Sequence, residues 1–138
     1  MAEINAYLVF NGNCAEAMRF YERALGGKLE IMTHKDSPMG AQATPENADR
    51  VIHAALKVDG GLLMASDDMA GEEFKGMNGF AVSLTYKNTA DAKRAFDALS
   101  DGAQITMPFQ KTFWSEGFGM LTDRFGVPWM SNTASAER

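Results

Sequence analysis

The chain has 138 residues, 46% of them apolar and 22% charged, which suits one domain with a buried core of its own. The net charge is −5 and the basic residues are scattered, which argues against a nucleic-acid binder, since that needs a basic footprint. Cys14 is the one cysteine, the N-terminus lacks a basic n-region, and no stretch reaches the roughly 18 apolar residues of a membrane span, so the expectation is a cytoplasmic protein without disulfides.

Ile4 to Phe10 is apolar and β-prone and reads as a strand. Asn13 reads as a helix N-cap, with Glu16 completing a capping box. Ala17, Phe20, Tyr21, Ala24 and Leu25 fall on one helical face, and Gly26-Gly27 ends the helix. Lys28 to His34 alternates as a second strand. Ser37 to Arg50, with Pro38, Gly40 and Pro45, reads as a long loop. Val51 to Val58, Asp59-Gly60-Gly61 and Leu62 to Ser66 form a hairpin pattern. Asp67 to Asn78 is polar and reads as a link.

The pattern then restarts. Phe80 to Tyr86 is a strand. Asn88 or Thr89 caps a helix with the face Ala92, Ala95, Phe96 and Leu99, ended by Gly102. Ala103 to Met107 reads as a strand and Pro108 to Glu116 as a loop. Phe118 to Thr122, the turn Asp123-Arg124-Phe125-Gly126, and Val127 to Asn132 form a last hairpin. Pro128 has no N–H, so its strand should start there or lie at an edge. Residues 133–138 read as a fraying tail.

Sliding the chain on itself by about 75 residues lays Asn13, Ala15, Ala17, Arg19 and Gly27 over Asn88, Ala90, Ala92, Arg94 and Gly102. The closing hairpins match at a shorter offset: His53 over Phe118, Leu56 over Leu121, Gly61 over Gly126 and Ser66 over Ser131. The difference falls on the Ser37 to Arg50 loop. The expected fold is α+β: one domain of two repeated βαβββ modules, residues 1–70 and 78–132, forming a curved mixed-sheet cup.

Three segments, YLVFNGNCAEAMRFYERALGG, VIHAALKVDGGLLMASD and FGMLTDRFGVPWM, resemble the PhnB-like branch of the vicinal oxygen chelate superfamily, which includes glyoxalase I, extradiol dioxygenases and bleomycin-binding proteins. The resemblance spans nearly the whole chain. It implies paired βαβββ modules, a homodimer and a cup-shaped small-molecule site. It also implies a divalent metal held by His, Gln or Glu from the first and last strands of the modules. Carried through the repeat, those positions fall on Ala6, Ala65, Ala81 and Met130, none of them a ligand for such an ion. A slip of one residue gives Asn5, Tyr7, Met64, Ser66, Phe80, Val82, Trp129 or Ser131, again without an imidazole or carboxylate. No metal or other cofactor is therefore expected. A metal assembled from His34, His53, Asp67 and Glu116 is the alternative, with no ligand spacing behind it.

His53, on a strand, is a candidate acid–base group; the alternative is a core or interface histidine. His34, at a strand end, reads as a surface residue. Asp67 shares strand parity with Ala65 and would face the same cup; otherwise it is a turn residue. Glu116 and Trp114, in the loop FWSEGFG, could line a cleft or anchor the loop. Arg124 could meet an anionic ligand or lie exposed in its turn. Trp129 is a further ligand-binding candidate. Cys14 opens a helix, where a thiol pKa can fall, but without a paired base it reads as structural. The ten methionines read as core filler or as an adaptable pocket wall. The leading expectation is a metal-free binding protein for a small molecule; the alternative is a lyase, isomerase or transferase of the same superfamily.

Overall fold

A computed structural model describes residues 2–36, 48–68 and 76–134. The elements follow the expected order: β1 (Ala6–Phe10), α1 (Cys14–Leu25), β2 (Lys28–Thr33), β3 (Val51–Val58), β4 (Gly61–Asp67), β5 (Val82–Tyr86), α2 (Thr89–Leu99), β6 (Gln104–Gln110), β7 (Phe118–Thr122) and β8 (Pro128–Thr133). The chain divides into two compact units, Met1–Lys75 and Gly76–Arg138. Each unit holds a four-stranded mixed sheet, ordered β1-β4-β3-β2 and β5-β8-β7-β6. The first strand of each pairs in parallel with the last, and the other pairings are antiparallel. The two expected βαβββ modules are thus the two units.

Most of the 37–50 loop, residues 37–47, lies outside the described residues, as do 69–75 of the link and 135–138 of the tail. The base of the long loop is closed by backbone bonds from His34 N–H to Arg50 O (2.9 Å) and from Lys35 N–H to Ala48 O (3.0 Å). His34 is only 4% exposed, not on the surface as expected, because this closure folds the strand end inward. β6 runs through Pro108 rather than stopping before it. An edge strand with register shifts tolerates a residue without N–H, and β6 is both an edge strand and bulged. Pro128 opens β8, as expected.

The helices show how one sequence pattern takes two local solutions. Asn88 caps α2: its Oδ1 accepts from Asp91 N–H at 2.8 Å, and its Nδ2 donates to Asp91 Oδ2 at 2.9 Å. Asn13 makes no such bond, so the expected capping box with Glu16 does not form. The Asp67 carboxylate does that work from the neighbouring strand, accepting from Cys14 N–H at 3.0 Å and Gly12 N–H at 2.8 Å.

Each helix covers one face of its own sheet. Phe10, Ala17, Met18, Tyr21, Leu56 and Ala65 close the first core; Ala92, Phe96, Leu99, Leu121 and Trp129 close the second. Gly119 stands where a β-carbon would come within 2.7 Å of the Phe96 ring and 3.0 Å of the Phe109 backbone. Its counterpart in the first unit, Ala54, carries a methyl in the buried core. The second core therefore exchanges a methyl for closer aromatic packing, with Phe96 and Phe109 centroids 5.7 Å apart.

Candidate ligand-binding face

Strand side chains alternate between faces, so the helix-covered face defines the open one. Asp67 meets Cys14 at the start of α1, so Asp67 and Ala65, two residues earlier, face the helix. Thr133 Oγ1 lies 3.2 Å from Thr89 Oγ1, and Ser131 Oγ donates to Ala92 O at 2.7 Å, so Thr133, Ser131 and Trp129 face α2. The open faces therefore carry Tyr7, Val9, Met64 and Ser66 in the first unit and Ser83, Thr85, Met130 and Asn132 in the second.

This changes the repeat register. Asp68 N–H donates to Phe10 O, and Ala134 N–H donates to Tyr86 O, so Phe10 corresponds to Tyr86 and Asp67 to Thr133. Each is one residue beyond the sequence match: for the first strands because three residues join β1 to α1 and two join β5 to α2, and for the last strands because, between equivalent strand pairs, the β7–β8 turn holds one residue more than the β3–β4 turn. A slip of one residue exchanges the faces of a strand. The equivalent open-face pairs are then Tyr7 opposite Met64 and Ser83 opposite Met130. Of the four positions derived from sequence, Met130 stands on the open face, whereas Ala65 is sealed under the helix.

The corrected pairs answer whether these strands could hold the metal that the superfamily resemblance implies. Phenol, thioether, hydroxyl and thioether do not make a site for a hard or borderline divalent ion. Neighbouring open-face positions on the same strands add Val9, Ser66, Thr85 and Asn132; the imidazole and carboxylate of the first unit's face, His53 and Glu30, stand on β3 and β2, outside the four positions. Among the described residues, no three His, Cys, Asp or Glu come together as metal ligands. The residues present do not fit the group.

The second unit carries an apolar floor. Met130 pairs with Met120, and Met120 with Met107 on the bulged edge strand. One row along, Asn132 lies between Thr85 and Phe118. The Trp114 ring stands edge-on to Phe118, with centroids 5.4 Å apart, and Phe113 stands edge-on to Trp114 at 4.7 Å. Phe113 is 97% exposed and Trp114 49%. Polarizable thioethers beside aromatic rings make a surface that adapts to a flat apolar molecule.

The other candidates fall in different places. His53 is exposed in the first unit, with its ring centroid 6.1 Å from that of Tyr7. Asp67, expected in the cup, is 3% exposed under the helix, where its second oxygen accepts from Val51 N–H at 2.9 Å. Among the described residues its hydrogen-bond partners are the backbone N–H groups of Gly12, Cys14 and Val51, so it organises the chain rather than facing a ligand. Glu116 is exposed, with Lys111 Nζ at 3.6 Å. Arg124 lies over the Phe125 ring at 5.1 Å and reaches Asp101 at 3.8 Å, in a turn beyond the sheet face. Trp129, expected to touch ligand, is 2% exposed, and its Nε1–H donates to Asp123 Oδ2 at 2.8 Å. Asp123 also accepts from Phe125 and Val127 N–H, so it clamps the turn around the buried indole. Burial, and then the nearby Asp67 charge, push the Cys14 thiol up to about 12, opposite to the fall that a helix start can cause.

Asn132, Thr85, Met107 and Met120 were not singled out from sequence, whereas Met130 was, as an expected ligand position. Alternation in GMLT and PWMSNT marks which residues share a face, but only strand pairing sets Asn132 beside Phe118 and Thr85.

The model of the Glyoxalase/Bleomycin resistance protein/Dioxygenase superfamily matches residues 3–130. The chain belongs to this superfamily. It is 35% identical to protein YjdN of Escherichia coli K12 over 143 residues, covering 97% of both chains. It is 43% identical to protein PA1353 of Pseudomonas aeruginosa, with a TM-score of 0.88 over 96% of this chain and 98% of that one. The PhnB protein of Bacillus cereus is 25% identical, with a TM-score of 0.76 over 96% of this chain and all of its own (100%). These relatives extend the PhnB resemblance through both modules. No described helix is long and apolar enough to cross a membrane.

Proposed function

We propose that this superfamily member binds a small, largely apolar molecule without the family's metal, on the open sheet face of its second unit. The observation that carries the reading is the content of that face: strand pairing sets Met120 beside Met130 and Phe118 beside Asn132, the Trp114 ring from the preceding loop stands edge-on to Phe118, and the positions equivalent to the family's ligands hold Tyr7, Met64, Ser83 and Met130. Such a face binds by burying apolar area, at roughly 25 cal/mol per Å² removed from water. It has no group to polarise a carbonyl as a metal would. The protein acts as a homodimer in this reading.

Metal analysis of the purified protein, followed by a Zn²⁺ and Ni²⁺ titration, tests the metal-free part. The expected result is far less than one ion per chain and no saturable site at micromolar metal. One tightly held divalent ion per chain would refute it. Indole, followed through the methionine methyl signals in NMR, tests the face itself. Binding that shifts Met120 and Met130 and is weakened by Phe118→Ala is expected; no shift at millimolar indole refutes the site.

A second reading rests on His53 beside Tyr7. An exposed imidazole near a phenol can move protons near neutral pH, so the first unit could support acid–base lyase or isomerase chemistry. If an activity is found, loss on His53→Gln with metal content unchanged would favour it.

A further inference from the structure

Within the apolar face just proposed, one polar atom is left over. Asn132 Oδ1 is buried and meets no hydrogen-bond donor among the described residues. Its cross-strand neighbours are Thr85 and Phe118. A carboxamide oxygen has two lone pairs and is normally paired when buried, so an unpaired one needs an explanation. The neighbouring residues supply it: the floor is Phe118, Met120 and Met130, Trp114 stands edge-on to Phe118, and the orphan acceptor belongs to this row.

We infer that Asn132 is a specificity residue that accepts a hydrogen bond from the ligand, so the protein selects flat apolar molecules carrying an N–H or O–H donor. The inference rests on the binding reading above and adds the polar group that orients the ligand. An apolar floor alone ranks molecules by area and shape. One buried acceptor adds a penalty against any molecule that fills the space without a donor, because the oxygen then stays desolvated and unpaired. Oxyanions and carboxylates are disfavoured for the same reason, since they would set lone pair against lone pair. Thr85, exposed on the next strand, sits where a second polar end of the ligand would emerge toward water.

The test compares indole with 1-methylindole, which match in shape and differ in the donor. Each is titrated into the full chain, read through the Asn132 side-chain amide and the methionine methyl signals in NMR. The wild type is expected to bind indole about tenfold more tightly, a difference of about 1.4 kcal/mol. Asn132→Leu is expected to bring the ratio to about one while leaving 1-methylindole as strongly bound as before or more so. Asn132→Asp keeps an acceptor at the position and should retain a preference for indole. Equal binding of the two probes to the wild type overturns the inference and leaves the binding face standing. An unchanged preference in a folded Asn132→Leu protein also overturns it, since the donor is then met elsewhere. If neither probe binds, the proposed face falls and this inference with it. The wild-type comparison decides even if a variant fails to fold.

Discussion

Replacing Asp67 tests whether one strand-end carboxylate organises the first unit. Its two oxygens accept from Gly12, Cys14 and Val51 N–H at 2.8, 3.0 and 2.9 Å, and the residue is 3% exposed. The bonds to Cys14 and Val51 are buried and the one to Gly12 is partly so. Asp67→Ala leaves two buried donors without an acceptor, at about 1–3 kcal/mol each, while Gly12 can turn to water. The expected loss is roughly 2–6 kcal/mol, a large share of a typical stability of about 5–15 kcal/mol. Asp67→Asn keeps the shape and one oxygen for Gly12 and Cys14 but turns an NH₂ toward Val51 N–H. It also exchanges charge-assisted bonds for neutral ones of about half the strength, so its cost is about 2–4 kcal/mol. The second unit supplies an internal control. Thr133 occupies the corresponding place and makes a side-chain contact with Thr89, so Thr133→Val should cost only about 0.5–1.5 kcal/mol. Equilibrium urea unfolding of the four proteins, compared at equal m-value, measures the order. An Asp67→Asn midpoint equal to wild type, or a Thr133→Val loss as large as that of Asp67→Ala, would refute the assignment.

Two further expectations concern the cores. The Cys14 thiol is raised from 9.0 to about 12, so the folded state resists forming the thiolate. Its contribution is fully present below pH 9 and is lost as the pH rises toward 12, where the unfolded chain ionises first; the slope is about 1.4 kcal/mol per pH unit. Unfolding of wild type and Cys14→Ala between pH 8 and 11 should converge by that slope, and the native thiol should be inert to a disulfide reagent at pH 8; parallel curves or fast labelling would count against the burial. Gly119→Ala inserts a methyl against Phe96 and the Phe109 backbone, and should cost about 1–3 kcal/mol in urea, relieved in part by Phe96→Leu. A neutral Gly119→Ala would mean that the second core has slack at this point.

How the two copies of the repeat cap their first helices explains the limits of reading the site from sequence. Asn13 and Asn88 are identical letters in matching contexts, yet only Asn88 caps its helix through its own side chain, because in the first unit Asp67 arrives from β4 with a carboxylate. Asp67 was legible as a strand-end acid; its direction was not, since between equivalent strand pairs the β7–β8 turn holds one residue more than the β3–β4 turn, which shifts the last strands of the two units against each other and exchanges the faces inferred for them. Trp129 was misread for the same reason: its place on the helix side follows from parity with Ser131 and Thr133.

The sequence by itself determined the two modules, the element order and the residue classes at the expected ligand positions, which within one residue include no imidazole or carboxylate. These follow from local periodicity, from helix and turn chemistry, and from a repeat that tolerates a one-residue error without changing the residue classes involved. Only the tertiary structure decided which side chains share the open face. Strand pairing put Ser83 beside Met130, and Asn132 between Thr85 and Phe118, over separations that no local pattern spans. A side chain's face has period two, so a single residue of connection length, invisible to composition and nearly so to alignment, exchanges core for site.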